Sequence, residues 1–452
     1  MRVSNATRGQ LPAAIHQADY DPAAQASGIL HFGIGAFHRA HQAWYTDRAL
    51  EGGDTGWAIT GVSLRSAGVA QQMNPQDGLF TVVEQSAAGV QARLVKAVRG
   101  VLVGGPDRAA IVARMAAPET HIISFTVTEK GYCRAPDGSL DPEQAGPDSL
   151  YGYLTEGLAA RMRAGLPGVT LMSCDNLADN GRQLERLVLA YCAHQDPALG
   201  RWIGAECTFP NSMVDRIVPA TTPEDRVALE AQLGLRDEAA VITEPFSQWV
   251  IEDRFAGPRP HWDHVGVQIV ADVSPYETAK LRMLNGAHSA LAYLGLQRGH
   301  AYVHQAIADP ALRPMIEGLM RHEALTSLTP APGQDLHAYA DALLDRFANP
   351  ALNHRLIQIA MDGSQKIPQR WLDTLAWHQQ RGGDCPMLLA AIAAWLTHVR
   401  GDKHPVDDPL ADALASLWAS AGSEGIAEAV FGADGLLASD WCPRPGQIRL
   451  AA

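Results

Sequence analysis

Cysteine is scarce in this chain and scattered along it. The 452 residues include six, Cys133, Cys174, Cys192, Cys207, Cys385 and Cys442, and no two of them form a CxxC pair. Such spacing offers no disulfide framework and reads as the buried thiols of an intracellular protein. Positive charge is also in deficit. Against 49 Asp and Glu stand 36 Lys and Arg, a formal net charge of −13. That sign argues against nucleic acid or an anionic membrane as partner. A small anionic substrate is not excluded, because a local basic pocket can oppose the global charge. Missing too are an apolar run long enough to span a bilayer and a signal-peptide pattern at the N-terminus. A cytoplasmic protein is therefore expected. Core material is plentiful: 47% of the residues are hydrophobic, and the mean hydropathy is −0.09. At this length two domains are the default.

Patterning divides the chain accordingly. Residues 1–28 are polar and irregular, and a surface arm is expected there. From Gly28 to about Ala271, short β-rich runs alternate with helical stretches, the signature of a doubly wound parallel sheet. The clearest strands are Ile29–Phe32, Trp57–Leu64, His121–Val127, Val169–Ser173 and Val265–Val270. Residues 133–150, with their Pro, Gly and Asp, read as a loop. After Ser274 helical patterns dominate, as in Ala301–Ile307, Leu336–Arg346, Arg355–Met361 and Met387–Val399, with prolines as punctuation. An α/β domain over 1–271 and a mostly α-helical one over 272–452 are expected.

Two stretches carry chemistry. The first runs from Ser274 to His288, SPYETAKLRMLNGAH. Ser274 suits an N-cap, Pro275 the first helical position, and Glu277 the carboxylate of a capping box. At about 100° per residue, Glu277, Lys280, Leu284, Asn285 and His288 fall within roughly half the circumference. A lysine there shares its face with an amide, an imidazole and aliphatic neighbours. Partial burial favours its neutral form, which makes it a usable proton acceptor. Taken alone, helical lysines are usually solvated and helical histidines usually satisfied core residues.

The second stretch follows the Ile29–Phe32 strand, as Gly33-Ile34-Gly35-Ala36-Phe37-His38-Arg39. Glycines between a strand and a helix let the backbone approach a pyrophosphate, which sits on the helix N–H groups. His38 replaces the third glycine of the usual fingerprint, and a tight turn without ligand would leave the same trace. The strand Trp57–Leu64 ends in Arg65-Ser66, without the acidic residue that selects the NAD ribose. Arg65 suits the adenine or a 2′-phosphate instead.

Together these stretches resemble the polyol-specific long-chain dehydrogenases, the family of mannitol dehydrogenases and their uronate-reducing relatives. Its signature is a lysine, four residues, an asparagine, two residues and a histidine, matched by Lys280, Asn285 and His288. The likeness continues through GIGAFHRAHQAWYTD (33–47), TVTEKGY (126–132), MSCDNLADNG (172–181), FPNSMVDRIVPATTP (209–223), EPFSQWVIED (244–253) and MDGSQKIPQR (361–370). It covers the chain from about Ile29 to Arg370, in the family's order.

The resemblance implies a Rossmann-like NAD(P)-binding domain, a helical substrate domain, and metal-independent hydride transfer between a nicotinamide cofactor and a secondary alcohol or its ketone. It assigns the proton acceptor to Lys280, alkoxide stabilisation to Asn176 and Asn285, and placement of substrate or lysine to His288. Glu277 receives a part in proton movement, although it also explains itself as a capping residue. An amide suits alkoxide binding because it donates without titrating. Implied cofactor contacts are Gly33, Ile34, Gly35, Ala36, Phe37, His38, Arg65, Thr128 and Glu129. NAD is the expected cofactor, with NADP admitted by Arg65, and the protein is expected as a monomer or homodimer.

No metal is expected. His261 and His264 lie in a proline-flanked connection without a neighbouring cysteine, which reads as a solvated loop. Tyr276 and Lys280 reproduce a Tyr-x-x-x-Lys spacing, but a tyrosine in the first helical turn reads as coincidence.

The TEKGY and MDGSQKIPQR segments look like the uronate branch, which reduces D-fructuronate to D-mannonate. A buried carboxylate requires cations or several N–H donors, and a polyol terminus does not. Lys130, Arg355 and Lys366 are the expected substrate contacts, with Arg370 a further cation in the motif. The alternatives are a mannitol 2-dehydrogenase acting on D-mannitol and D-fructose, or an arabinitol, sorbitol or tagaturonate dehydrogenase. A catalytically inactive cofactor sensor is disfavoured, since Lys280, Asn176, Asn285 and His288 are all present.

Overall fold

Ile29, Leu30 and Phe32 are fully buried, so the Ile29–Phe32 strand is apolar on both faces, as a parallel strand covered on both sides must be. The computed structural model describes residues 1–351 and 353–450, and the chain forms two units, Met1–Val273 and Ser274–Ala452. In the first unit, Ile29–Phe32 is the middle of five parallel strands. Across the sheet they run Val98–Val103, Ile59–Ser63, Ile29–Phe32, Ile122–Phe125, Thr170–Ser173. This is the Rossmann order, in which the direction of winding reverses beside the first strand. One face packs Ile29, Ile59, Ile122 and Met172 with Trp249 and Trp262. The other packs Leu30, Phe32, Val62, Ile123 and Phe125 with Tyr151 and Leu154.

Two expectations fail in this unit. The Val265–Val270 strand is not part of the doubly wound sheet. Its strand is Gln268–Val270, which pairs with Gln248–Glu252, and that pairs in turn with Ser212–Asp215, in a separate mixed sheet. Nor is 1–28 a loose arm. Ile15–Gln17 pairs parallel to residues 92–94 of a hairpin, Phe80–Ser86 and Gly89–Val95, whose other edge takes Val241–Thr243. A buried charge cluster fastens the segment. Lys96 Nζ donates to Ala18 O and Tyr20 O, each at 2.7 Å. Asp47 accepts from the Tyr20 hydroxyl, from Arg93 Nε at 2.7 Å and from Lys96 N at 2.7 Å. The backbone carbonyls of 18–20 do this work, so the polar side chains concealed it.

The second unit is helical. Gly286–Gln297 and Pro386–Val399 are apolar on nearly every side and lie in its core. The first free N–H groups of the Pro386 helix, on Met387 and Leu388, donate to the two oxygens of Glu323 at 2.8 Å each, which answers the unsatisfied donors of a helix start. Burial pushes the Glu323 carboxyl up to about 7. Folded chains then keep a proton that unfolded chains lose near the ordinary glutamate value of about 4.3, so stability falls as the pH rises between the two. Glu323→Gln cannot ionise. Its melting temperature relative to wild type is expected to climb between about pH 5 and about pH 8; a difference that stays flat over that range refutes the linkage.

Candidate active site

The two expected glycines serve different ends. Gly33 has φ +95°, and a Cβ there would lie 2.0 Å from Thr126 O. Only glycine fits where the Ile29–Phe32 and Ile122–Phe125 strands close together. Thr126 N donates to Phe32 O at 2.8 Å, and Thr126 Oγ1 donates to Gly33 O. His31, buried and held neutral with its pKa lowered to about 3 by burial, lies 2.8 Å from Thr126 Oγ1 and 2.8 Å from Ser124 Oγ. Gly35 is exposed, and a Cβ there would meet only Gly33 O at 4.0 Å. Its open side is where a ligand can reach the backbone.

Beside this turn lies a cavity of about 460 Å³. Gly33, Ser63 to Arg65 and Thr126 to Thr128 line it, the carboxyl ends of three neighbouring strands at the reversal of winding. Ligands of open α/β sheets bind in such a crevice. Its outer wall comes from the 133–150 loop, through Glu143, Gln144 and Asp148, a contribution that loop composition does not disclose. Arg65 is exposed there, so this cavity holds charges of both signs. Of the expected contacts, Ile34 is 2% and His38 1% exposed. Both side chains point into the fold, His38 stacked on His31 at 3.5 Å, which leaves only their backbone for a cofactor. Ala36 and Phe37 are half-buried, while Thr128, Glu129 and Lys130 are exposed at the start of a short helix, Thr128–Gly131.

Asn176 is exposed on the turn after the Thr170–Ser173 strand. Three motifs interlock beneath it. Asn180 Nδ2 donates to Asp175 O at 3.0 Å and Ser212 O at 2.7 Å, and Ser212 N returns a bond to Asn180 Oδ1 at 2.9 Å. Asn211 accepts from Gly181 N at 2.9 Å and donates to Glu252 at 3.2 Å. The polar residues around 172–181, 209–223 and 244–253 thus build one scaffold for the turn.

In the second unit the helix starts with Ser274 itself, over Ser274–Ala279, one residue earlier than expected. It then widens into a π-helical turn, Lys280–Asn285, before Gly286–Gln297. The uniform angular spacing therefore fails. On an α-helix, residues five apart stand about 140° apart; i→i+5 bonding brings them to nearly the same side. Lys280 and Asn285 share a side because of this turn, both half-buried like Glu277 and His288. Leu284, expected on that face, is 4% exposed and belongs to the core.

The widened turn is propped from a second one, Pro368–Leu372. Arg370 Nη1 donates to Asn285 O at 3.3 Å and to Ser289 Oγ at 2.7 Å, and Trp371 Nε1 donates to Gly286 O at 3.0 Å. Burial lowers the Arg370 pKa to about 10, a value that still leaves it charged at neutral pH. The His288 ring lies 5.1 Å from Phe347 and 4.9 Å from His354. Burial first, and then His354, Arg346, Arg370 and Lys366, hold its pKa well below the usual histidine range. His288 is thus a neutral hydrogen-bonding group among cations. Lys366 Nζ donates to Met361 O and lies 3.8 Å from Asp362. Arg355 is exposed at the start of Leu356–Ile359. Arg346, at the end of a helix, acts on His288 and carries no sequence signal to mark it. Tyr276 is 5% exposed, and burial raises its pKa, the opposite of what a tyrosine base requires.

All six cysteines are free. Among the described residues, no three His, Cys, Asp or Glu side chains are grouped to hold a metal ion, and no helix is long and apolar enough to cross a membrane. His261 Nδ1 is paired with Asp54 at 2.5 Å.

Residues 27–264 match the mannitol dehydrogenase Rossmann domain, and residues 272–435 match the mannitol dehydrogenase C-terminal domain. The chain belongs to the mannitol dehydrogenase family. It is an oxidoreductase of that family. D-mannonate oxidoreductase of Escherichia coli is 41% identical over 450 residues, covering 95% of this chain and 92% of the relative. A mannitol 2-dehydrogenase of Phaeosphaeria nodorum is 40% identical over 409 residues, covering 86% of this chain and 72% of the relative. The solved structure of Pseudomonas fluorescens mannitol 2-dehydrogenase, a ternary complex with NAD and D-mannitol, superposes with a TM-score of 0.79 at 34% identity, covering 95% of this chain and 91% of that one. Identities of 41% and 40% to enzymes named for different substrates leave the choice within the mannitol dehydrogenase family to the residues of this chain.

Proposed function

We propose that this enzyme interconverts D-fructuronate and D-mannonate with NAD(H). The observation that carries the reading is the cation group around His288. In a chain of net charge −13, Arg346, Lys366 and Arg370 all act on one imidazole. Asp362, 3.8 Å from Lys366, already answers one of these charges; the carboxylate of a sugar acid is a further anion that such a group of cations would attract. Lys130, exposed next to the cofactor-type cavity, adds a further cation in this reading.

A dinucleotide fits the first unit, where Gly35 leaves its backbone approachable and the cavity follows three strand ends. NAD(H), when bound, would supply or accept the hydride. The chain's own groups handle the proton and the oxygen. Lys280 takes the hydroxyl proton in oxidation and returns it in reduction. Asn176 and Asn285 donate to the oxygen as it gains negative charge. His288 stays neutral and orients the substrate, and Glu277 passes protons to and from the lysine.

Mannitol–fructose exchange is the second reading. It is favoured by the donors that Arg370 and Lys366 already spend on their own chain. Lys130→Met separates the two. A charge-assisted hydrogen bond to a carboxylate contributes about 1.5–3 kcal/mol, so KM for fructuronate should rise roughly ten- to a hundredfold. Any fructose reduction should change much less. Equal losses on both substrates would assign Lys130 to the cofactor or the fold.

A further inference from the structure

Asp175 has no part in the chemistry proposed above, yet it accepts more bonds than any ordinary turn requires. Its Oδ1 takes Thr128 N–H at 3.0 Å, and its Oδ2 takes Val127 N–H at 3.0 Å and the Tyr132 hydroxyl at 2.8 Å. Tyr132 is fully buried, and its oxygen also lies 2.6 Å from Ser173 Oγ. One carboxylate therefore ties the end of the Ile122–Phe125 strand to the end of the Thr170–Ser173 strand. Thr128 is held at φ +63°, a left-handed conformation that a β-branched residue adopts only when its surroundings impose it. The surroundings that impose it here include Asp175.

We infer that Asp175 is a positioning residue: through it the cofactor-side turn Val127–Thr128 and the alkoxide donor Asn176 are held in one fixed arrangement. The neighbouring groups agree with this role. Val127 and Thr128 line the cavity beside Gly33, and Asn176 is joined to Asp175 by a peptide bond. Asn180 fastens the carbonyl of Asp175 from below at 3.0 Å, so the residue is gripped at both its backbone and its side chain. Rigid support of this kind matters because reacting groups displaced by about 1 Å can cost on the order of 10² in rate. The inference rests on the proposed roles of Asn176 and the cavity.

Asp175→Asn keeps the size of the side chain and replaces one accepting oxygen by a donor that faces N–H and O–H groups. It is expected to lower kcat by on the order of 10²-fold and to weaken NADH binding by about tenfold, the loss of one charge-assisted bond's worth of order. Tyr132→Phe, which deletes one of the three donors to Asp175 together with the contact to Ser173 Oγ, should shift both quantities in the same direction by less. Asp237→Asn is the comparison. Asp237 is buried and accepts from Gln76 Nε2, Thr81 N and Ala239 N, away from the cavity, so Asp237→Asn should lose thermal stability while kcat stays near wild type. NADH binding is read by fluorescence titration and kcat by steady-state turnover, each at a temperature where the variant is folded. If Asp175→Asn stays within twofold of wild type in both, or loses only stability as Asp237→Asn does, the inference is overturned. Should Asp175→Asn fail to fold, an unchanged kcat and NADH affinity in Tyr132→Phe overturns it equally. Asn176→Ala keeps the two levels apart: full turnover there refutes the donor assignment, and the effect of Asp175 on NADH binding is read without turnover.

Discussion

Lys280→Ala is expected to lower turnover by about 10²–10⁴, the range that a positioned acid or base contributes, with NADH affinity close to wild type. The asymmetry follows from location. Lys280 opens the widened turn of the second unit, whereas the glycines and the cavity proposed for the dinucleotide belong to the first. Losing the ammonium group leaves Asn176 and Asn285, the proposed alkoxide donors, in place, so the variant should keep a residual rate above background. Added primary amines should recover part of the loss by accepting the substrate's hydroxyl proton in place of Lys280. Steady-state kinetics in both directions measures the rate, and fluorescence titration measures NADH. Near-normal turnover in the variant would remove Lys280 from the chemistry.

A comparable loss, of a different kind, is expected from Gly35→Val. A valine there should weaken NADH binding by on the order of 10²-fold, because the pyrophosphate would lose more than one charge-assisted bond to the backbone, each contributing about 1.5–3 kcal/mol. Thermal stability should barely change, since a Cβ at Gly35 meets only Gly33 O at 4.0 Å. Gly33 cannot serve as the same probe. Its positive φ and the 2.0 Å approach of Thr126 O mean that any side chain there damages the fold before it touches a ligand. Unchanged NADH affinity in folded Gly35→Val would place the dinucleotide elsewhere.

The parts of this molecule that were legible in the sequence are those fixed by local rules. An apolar strand followed by two glycines announced the Ile29–Phe32 strand and its turn, and apolar periodicity announced the helical second half. The widened turn at Lys280–Asn285 obeys no local rule. Asn285 O at its end and Gly286 O just after it accept from Arg370 and Trp371, 85 residues away, so its support is a tertiary contact. The inward turn of the Ile34 and His38 side chains was hidden for another reason. They occupy fingerprint positions, and the strands around them have room for their side chains inside. The N-terminal segment looked solvated because its polar side chains are visible in sequence and its backbone carbonyls, which hold Lys96, are not. Arg346 and the wall formed by residues 133–150 left no trace, since a cation at a helix end and a Gly/Pro-rich loop are commonplace until the fold brings them beside a site.

The physiological preference is decided by one comparison: kcat/KM of the wild-type enzyme for D-fructuronate and for D-fructose, each with NADH at saturating concentration. The cations around His288 predict the higher value for D-fructuronate, by roughly the ten- to hundredfold that one bond to a carboxylate provides. Faster turnover of D-fructose would contradict the uronate assignment and move this enzyme to the mannitol-oxidising branch of its family.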